Sequence, residues 1–208
     1  EDMVFGGNGI SRVNLDNKKD FVIFVKNAIE GQRVIAEITK FRVNYAESKI
    51  IKVLEKSKLQ KKINFQKISG APYIELDIDY QRNIKRELVF DVFRKIGKVE
   101  NIDDYFDEFI ASPKTWHYRN KMEYAFSDQR WLTSEEISNK SLPVEKKGLG
   151  FHKSGMWDKV VDIQQCHLQP EPANEIRNAI KTFALEHGLD FFNPREQMGF
   201  LRSLMIRN

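Results

Sequence analysis

The sequence predicts an α+β fold, in which a small N-terminal β-barrel precedes a domain with a mainly antiparallel sheet and two main helices. Three observations predict it. Short strand-like runs recur at roughly ten-residue spacing over residues 1–57, with Gly, Asn and Asp between them. Two later segments have the apolar spacing of amphipathic helices. Further strand-like runs lie between and after these helices, which is typical of an α+β protein.

The N-terminal strands are predicted from β-branched and aromatic residues. They are expected at residues 10–13, 21–25, 33–41 and 49–54. The run Gly6-Gly7-Asn8-Gly9 precedes a strand, whereas a phosphate-binding loop precedes a helix. These glycines therefore predict a tight turn.

Residues 58–78 are predicted to be a connector and residues 79–208 a second domain. Its first helix is expected from Tyr80 to Ile96, with Asp79 as its N-cap and Gly97 after its end. Its apolar face is predicted from a four-residue repeat, Ile84, Leu88, Val92 and Ile96.

The remainder of the second domain is predicted to contain strands at residues 117–127, 149–152, 159–163 and 200–206. A second helix is expected to begin near Pro172 and to end before Gly188. Its apolar face is predicted to consist of Ile176, Ile180, Phe183 and Ala184.

Composition excludes several classes of protein. Of the 208 residues, 41% are hydrophobic and 31% charged, as in ordinary globular proteins. No apolar run approaches the roughly 20 residues that span a bilayer, so we expect no membrane association. The single cysteine excludes an internal disulfide. No secretory leader is seen, and we expect a cytoplasmic protein.

The positive charge is concentrated in one part of the chain. Residues 40–67 contain nine Lys or Arg and two acidic residues, a local charge of +7 within a net charge of +4. Such a concentration indicates either a polyanion-binding surface or an ordinary solvated one.

Three motifs carry a family resemblance. They are His117-Tyr118-Arg119-Asn120-Lys121-Met122-Glu123, then Gly150-Phe151-His152, then Val161-Asp162-Ile163-Gln164-Gln165-Cys166. With them, residues 79–208 resemble the central domain of the RNA uracil-5-methyltransferases. Residues 1–57 resemble the TRAM domain, an OB-like barrel, through Phe5 to Ile10, Val22 to Val25, Gly31 to Ile35, and Tyr45-Ala46.

The resemblance implies the RNA-recognition portion of an S-adenosylmethionine-dependent 23S rRNA (uracil-C5)-methyltransferase. The Rossmann-like domain that binds the cofactor, and the catalytic cysteine, are expected beyond Asn208, so this segment alone has no catalytic residue. Two alternatives stay open, a non-catalytic RNA-binding or ribosome-assembly protein and a tRNA (uracil-5-)-methyltransferase. The expected partner is RNA, most of all ribosomal RNA, and not DNA.

Eight residues are predicted to bind RNA. OB-type barrels combine cations that follow the phosphates with aromatic rings that stack on bases. The predicted residues are Lys40, Arg42, Lys49, Lys52, Tyr118, Arg119, Asn120 and Lys121. Phe41 and Tyr45 are either stacking residues or core residues. Arg119 and Lys121 either face RNA or pair with carboxylates across a sheet.

Many members of this family hold an iron–sulfur cluster with four cysteines. Here the resemblance places Lys62, Ile68 and Ala71 at three of the ligand positions and Cys166 at the fourth. One thiolate cannot hold a cluster, so none is predicted, and Phe65, Ile68 and Tyr73 are expected to pack in its place. Cys166 also lacks enough further ligands for zinc, and we predict a buried, inert thiol and no metal site.

Overall fold

The computed structural model describes residues 1–4, 6–16, 18–64, 66, 68, 71–139 and 143–208. The chain divides into two compact units. The first comprises residues 1–64 and 71–112, and the second comprises residues 65–70 and 113–208. Phe5 of the predicted TRAM domain and Phe65 of the predicted connector lie outside the described residues.

The first unit is built on a five-stranded sheet with the order β1-β2-β3-β5-β4. The strands are β1 (Asp2–Val4), β2 (Asn8–Leu15), β3 (Lys18–Lys26), β4 (Arg33–Phe41) and β5 (Tyr45–Glu55). Strands β3 and β5 are parallel, and the other neighbours are antiparallel. Among the described strands no pairing joins β4 to β1, so the sheet is open and the predicted barrel is not found closed.

The glycine turn is confirmed. Gly6 and Gly7 have φ values of 86° and 76° and connect β1 to β2. These left-handed conformations favour glycine because a Cβ atom would be strained there. The amide of Gly7 donates a hydrogen bond to the Val4 carbonyl at 3.2 Å, which closes the turn.

Helix α1 (Ile78–Lys95) begins two residues earlier than predicted and ends one residue earlier. Its N-cap is Asp77, not Asp79, because the Asp77 carboxylate accepts a hydrogen bond from the Asp79 amide at 2.9 Å. Ile84 packs into a core with Met3, Ile29 and Leu76.

The predicted apolar face of α1 is only partly buried. Ile84 is buried and Leu88 partly so, but Val92 and Ile96 are 51% and 76% exposed. Phe90, outside the predicted repeat, is buried instead and packs edge-on against Phe106. A 3-10 turn (Ile102–Tyr105) follows the helix. The predicted domains 1–57, 58–78 and 79–208 stay a prediction.

The second unit has a four-stranded antiparallel sheet with the order β8-β7-β6-β9. Its elements are β6 (Lys121–Ser127), α2 (Ser134–Ser138), β7 (Gly148–His152), β8 (Val160–Asp162), α3 (Ala173–Glu186) and β9 (Ser203–Arg207). The two units together confirm a mixed α+β fold. In the described part of the chain, no helix is long and apolar enough to cross a membrane.

Two predictions about this unit are wrong. Residues 117–120 are not part of a strand, because their amides bond to an irregular segment instead of a neighbouring strand. The face of α3 is also different from the predicted one. Ile176 and Phe183 are 40% and 54% exposed, whereas Arg177 is 1% exposed. The helix buries a hydrogen-bonded cation that an apolar repeat does not reveal.

Candidate functional site

The segment before β6 is held by backbone hydrogen bonds. The amides of His117 and Arg119 donate to the carbonyls of His167 and Leu168, each at 2.9 Å. His117 has a φ of 56°, which is strained for a residue with a side chain, and its ring Nδ1 lies 3.0 Å from the Gln169 carbonyl oxygen. The path of the chain through residues 117–120 is therefore fixed.

This fixed backbone presents exposed side chains. Tyr118, Arg119, Asn120 and Lys121 are all exposed, and Tyr118 is 52% exposed. Neither Arg119 nor Lys121 forms an ion pair with a described residue, so the carboxylate-pairing interpretation finds no support there. A guanidinium, an ammonium and a phenol on one rigid segment can bind phosphates and stack on a base.

A buried glutamine, Gln169, holds the segment of residues 117–120 in place through hydrogen bonds. Gln169 is 0% exposed, and its Nε2 donates to the Ile206 carbonyl at 2.9 Å. Its Oε1 accepts from the Tyr124 hydroxyl at 3.4 Å. Burial raises the pKa of Tyr124 to about 12, which further favours the protonated, donating form of this hydroxyl. Sequence reasoning missed Gln169, because local pattern does not separate a buried glutamine from an exposed one.

Helix α3 fixes the loop that contains Cys166. The Arg177 guanidinium donates to Asn174 Oδ1 at 2.9 Å and to the Gln164 carbonyl at 2.7 Å. It also lies 5.1 Å from the centre of the Tyr124 ring. The Asn174 side chain binds both the amide and the carbonyl of Cys166, at 2.8 and 3.2 Å. Cys166 is 1% exposed, which confirms that its thiol is buried.

The cations predicted on β4 and β5 fall into two groups. Lys40 pairs with Glu47 at 3.0 Å, and Lys49 pairs with Glu37 at 2.7 Å. Both pairs join the two strands across their register and are about half exposed. Surface pairs of this kind contribute only about 0–1 kcal/mol, so these lysines remain able to exchange partners.

The second group has no acidic partner. Arg42 lies between β4 and β5, Lys52 lies on β5, and neither forms an ion pair within the described residues. Phe41 is 61% exposed, although its ring also stacks on Phe21 at 5.2 Å. Tyr45 is half-buried and contacts Phe24 edge-on at 5.7 Å. Phe41 is therefore largely exposed, whereas Tyr45 is mostly a packing residue.

The eight predicted residues divide between the units, and none is buried. Lys40, Arg42, Lys49 and Lys52 belong to the first unit, and the other four to the second. Their binding role stays a prediction.

The residues do not fit a resident metal group. Lys62, Ile68 and Ala71 offer no thiolate beside Cys166, so a four-thiolate cluster has too few ligands here. Within the described ranges, no group of three or more His, Cys, Asp or Glu could hold a metal ion. The absence of a cluster remains a prediction from the sequence.

Comparison with known proteins identifies relatives of the chain. It is 36% identical over 208 residues to a protein named an uncharacterized RNA methyltransferase in Bacteroides thetaiotaomicron. It is 33% identical over 214 residues to one of the same name in Porphyromonas gingivalis. Each alignment covers 99% of this chain and 44% of the relative. No protein-family model matches the chain.

A solved structure has the same fold. It is the Pyrococcus abyssi tRNA (uracil-54, C5)-methyltransferase in complex with S-adenosyl-L-homocysteine, with a TM-score of 0.60 and 23% identity. The match covers 98% of this chain and 43% of that one. At this identity the likeness shows the fold alone. The two relatives are named RNA methyltransferases and the neighbour a tRNA methyltransferase, and the chain spans less than half of their lengths.

Proposed function

We propose that this chain is the RNA-recognition portion of an S-adenosylmethionine-dependent RNA (uracil-C5)-methyltransferase that acts on 23S rRNA. The observation that carries the proposal is the exposed segment Tyr118–Lys121, whose cations have no acidic partner among the described residues and whose backbone is fixed. A preformed cationic segment binds RNA at a lower entropic cost than a disordered one. The relatives named RNA methyltransferases support the same reaction class.

The first unit is proposed to be an OB-type TRAM domain. Five strands with a parallel β3–β5 contact support this, since OB-type folds are five-stranded, partly open Greek-key barrels. Arg42 and Phe41, at the connection between β4 and β5, lie where such folds bind oligonucleotides. The cation and the exposed ring would contact a phosphate and a base.

The role of the chain follows from the chemistry at a uridine in folded RNA. The base must leave its stack before it reacts, and unstacking costs a few kcal/mol. Contacts to the RNA around the target offset that cost. S-adenosylmethionine would supply the methyl group in the complete enzyme. Gly6 and Gly7 connect two strands, so they do not form the strand-to-helix loop of a nucleotide cofactor site.

The test is methyl transfer by the complete gene product, with labelled S-adenosylmethionine and transcripts of 23S rRNA and tRNA. We expect label at uridine C5 in the ribosomal transcript. Label in tRNA alone would contradict the rRNA assignment and identify a tRNA methyltransferase. No label in either RNA, with binding retained, would contradict the enzyme and favour a non-catalytic RNA-binding protein.

A further inference from the structure

A cavity of about 520 Å³ lies in the second unit, on the sheet. Its floor consists of small residues on three adjacent strands. Ala125 of β6 pairs in register with Gly150 of β7 on one side and with Ser203 of β9 on the other. Paired residues on neighbouring strands project to the same face, so the small side chains of Ala125 and Ser203 leave a depression there. At Gly150 the backbone itself lines the cavity, because Val161 and Ile163 fill the space that a Cβ atom would take.

The cavity opens on the face opposite the helix-covered core. Met122, Tyr124 and Phe126 are buried on one side of β6, and Arg177 of α3 lies over the Tyr124 ring. Lys121, Glu123 and Ala125 alternate with them and project to the other side. This places the predicted RNA-binding Lys121 on the cavity face, about 7 Å along the strand from Glu123 at the rim.

Aromatic rings form two walls. Trp157 is 66% exposed, which is unusual for so large an apolar side chain. Phe192 forms the other wall, and the Arg202 guanidinium covers its ring at 4.7 Å. An exposed indole beside a guanidinium stacked on a ring is a combination that binds unstacked bases.

The walls are anchored. Asp158, next to Trp157, is 4% exposed and accepts a hydrogen bond from Arg195 Nε at 2.8 Å. The Asn193 side chain donates to Asp128 at 2.9 Å and accepts from the amides of Arg195 and Glu196. These bonds tie the turn after Phe192 to the loop that contains Trp157, so the cavity exists before any ligand arrives.

We propose that this cavity binds one unstacked nucleobase of single-stranded RNA, a site that deepens the proposed function and depends on it. The volume lies within the range of small-ligand pockets, about 300–1,000 Å³. The base would stack on Trp157, and its edge would meet Glu123 and Gln197. A carboxylate accepts from a base N–H, and an amide both donates and accepts. The 3′ or 5′ phosphate would reach Lys121 or Arg202.

The probe is a short single-stranded oligouridylate, compared with an abasic ribose-phosphate oligomer of equal length and charge. Loss of base stacking weakens binding roughly 5- to 100-fold per base. We therefore expect Trp157→Ala to weaken oligouridylate binding by that factor and to leave abasic binding unchanged. Trp157→Phe should retain part of the affinity. Tyr105→Ala, at a 78% exposed aromatic residue of the first unit, is the matched control.

Ser203→Leu tests the cavity without removing any wall. Ser203 is exposed on the floor, so a larger side chain fills the space and should weaken oligouridylate binding while the protein stays folded. Neither variant should change the salt dependence, because neither removes a phosphate contact. If both variants bind oligouridylate like the wild type while Lys121→Ala binds it less tightly, the pocket is wrong and the proposed function stands. If the wild type binds no RNA, the proposed pocket and the proposed function are both wrong.

Discussion

The side-chain amide of Gln169 donates a hydrogen bond to the carbonyl oxygen of Ile206 at 2.9 Å, in a site from which water is excluded. The same glutamine accepts from Tyr124, and its backbone carbonyl meets the His117 ring. It thereby connects strand β9 to the segment that begins at His117. We therefore expect its side chain to contribute to the stability of the unit and to the shape of the exposed segment.

Gln169→Leu should destabilise the protein by about 1–3 kcal/mol, because the Ile206 carbonyl and the Tyr124 hydroxyl lose their partner in a buried site. Urea unfolding measures this change. RNA affinity at a concentration of urea where the variant is still folded should also fall. Unchanged stability would show that water or another group satisfies these atoms. Gln164→Leu, on the exposed side of the same loop, is the matched control.

Removal of the acidic partners of the ion-paired lysines on β4 and β5 should raise the affinity for RNA. Glu47→Gln and Glu37→Gln free Lys40 and Lys49, and each variant also removes a negative charge from the surface. We expect tighter RNA binding at low salt in both. The control is Glu55→Gln, which frees Arg33, a residue outside the predicted site. An equal gain in RNA affinity in the control would mean that net charge alone determines the affinity.

The unpaired cations of the same surface should show the opposite effect. Arg42→Ala and Lys52→Ala each remove a charge that has no acidic partner within the described chain. Each should weaken RNA binding and lower the slope of log affinity against log salt by about 1 if it contacts one phosphate. A titration series in salt measures the slope. Slopes equal to the wild-type value would exclude these two residues from the interface.

Gly150 is expected to tolerate no side chain. A Cβ atom there would lie 2.0 Å from the Val161 carbonyl oxygen and 2.7 Å from Ile163 Cγ1. Gly150→Ala must therefore separate β7 from β8, and we expect a loss of roughly 1–3 kcal/mol in thermal or urea unfolding. Gly188→Ala is a contrasting control. Its Cβ position has open space and its φ is 65°, so alanine there meets backbone strain but no steric clash. If Gly150→Ala were as stable as the wild type, the close packing of β7 against β8 at this position would be contradicted.

Acid stability should depend on Glu136. Its hydrogen bonds with Arg130 and the Thr133 amide lower the pKa of the Glu136 carboxyl from 4.5 to about 2. A lowered folded-state pKa contributes stability above pH 4.5 that is lost as the pH falls towards 2. Glu136→Gln should therefore be less stable than the wild type at pH 7, with the difference shrinking between pH 4.5 and 2. Glu135→Gln, with an exposed carboxylate on the same helix, should show no such convergence.

Much of the fold follows from local sequence pattern. The strand at residues 33–41 and the turn at Gly6 and Gly7 were predictable because alternation and glycine conformation act over a few residues. The N-cap at Asp77 was not predictable, because Asp77 and Asp79 are both suitable N-cap residues and only the folded backbone shows which of them caps the helix. The burial of Arg177 depends on one backbone carbonyl and one side-chain amide that the folded chain brings together. The cavity likewise depends on strand register, which places Ala125, Gly150 and Ser203 side by side.

The most direct test of the central claim is the salt dependence of RNA binding by the chain and by Arg119→Ala/Lys121→Ala. We predict that the wild type binds single-stranded RNA with an affinity that falls steeply with salt, and that the double variant loses about 2 from the slope. Lys95→Ala/Arg94→Ala on α1 removes the same charge elsewhere and should keep the wild-type slope. Wild-type affinity and slope in the Arg119/Lys121 variant would contradict RNA recognition by this segment.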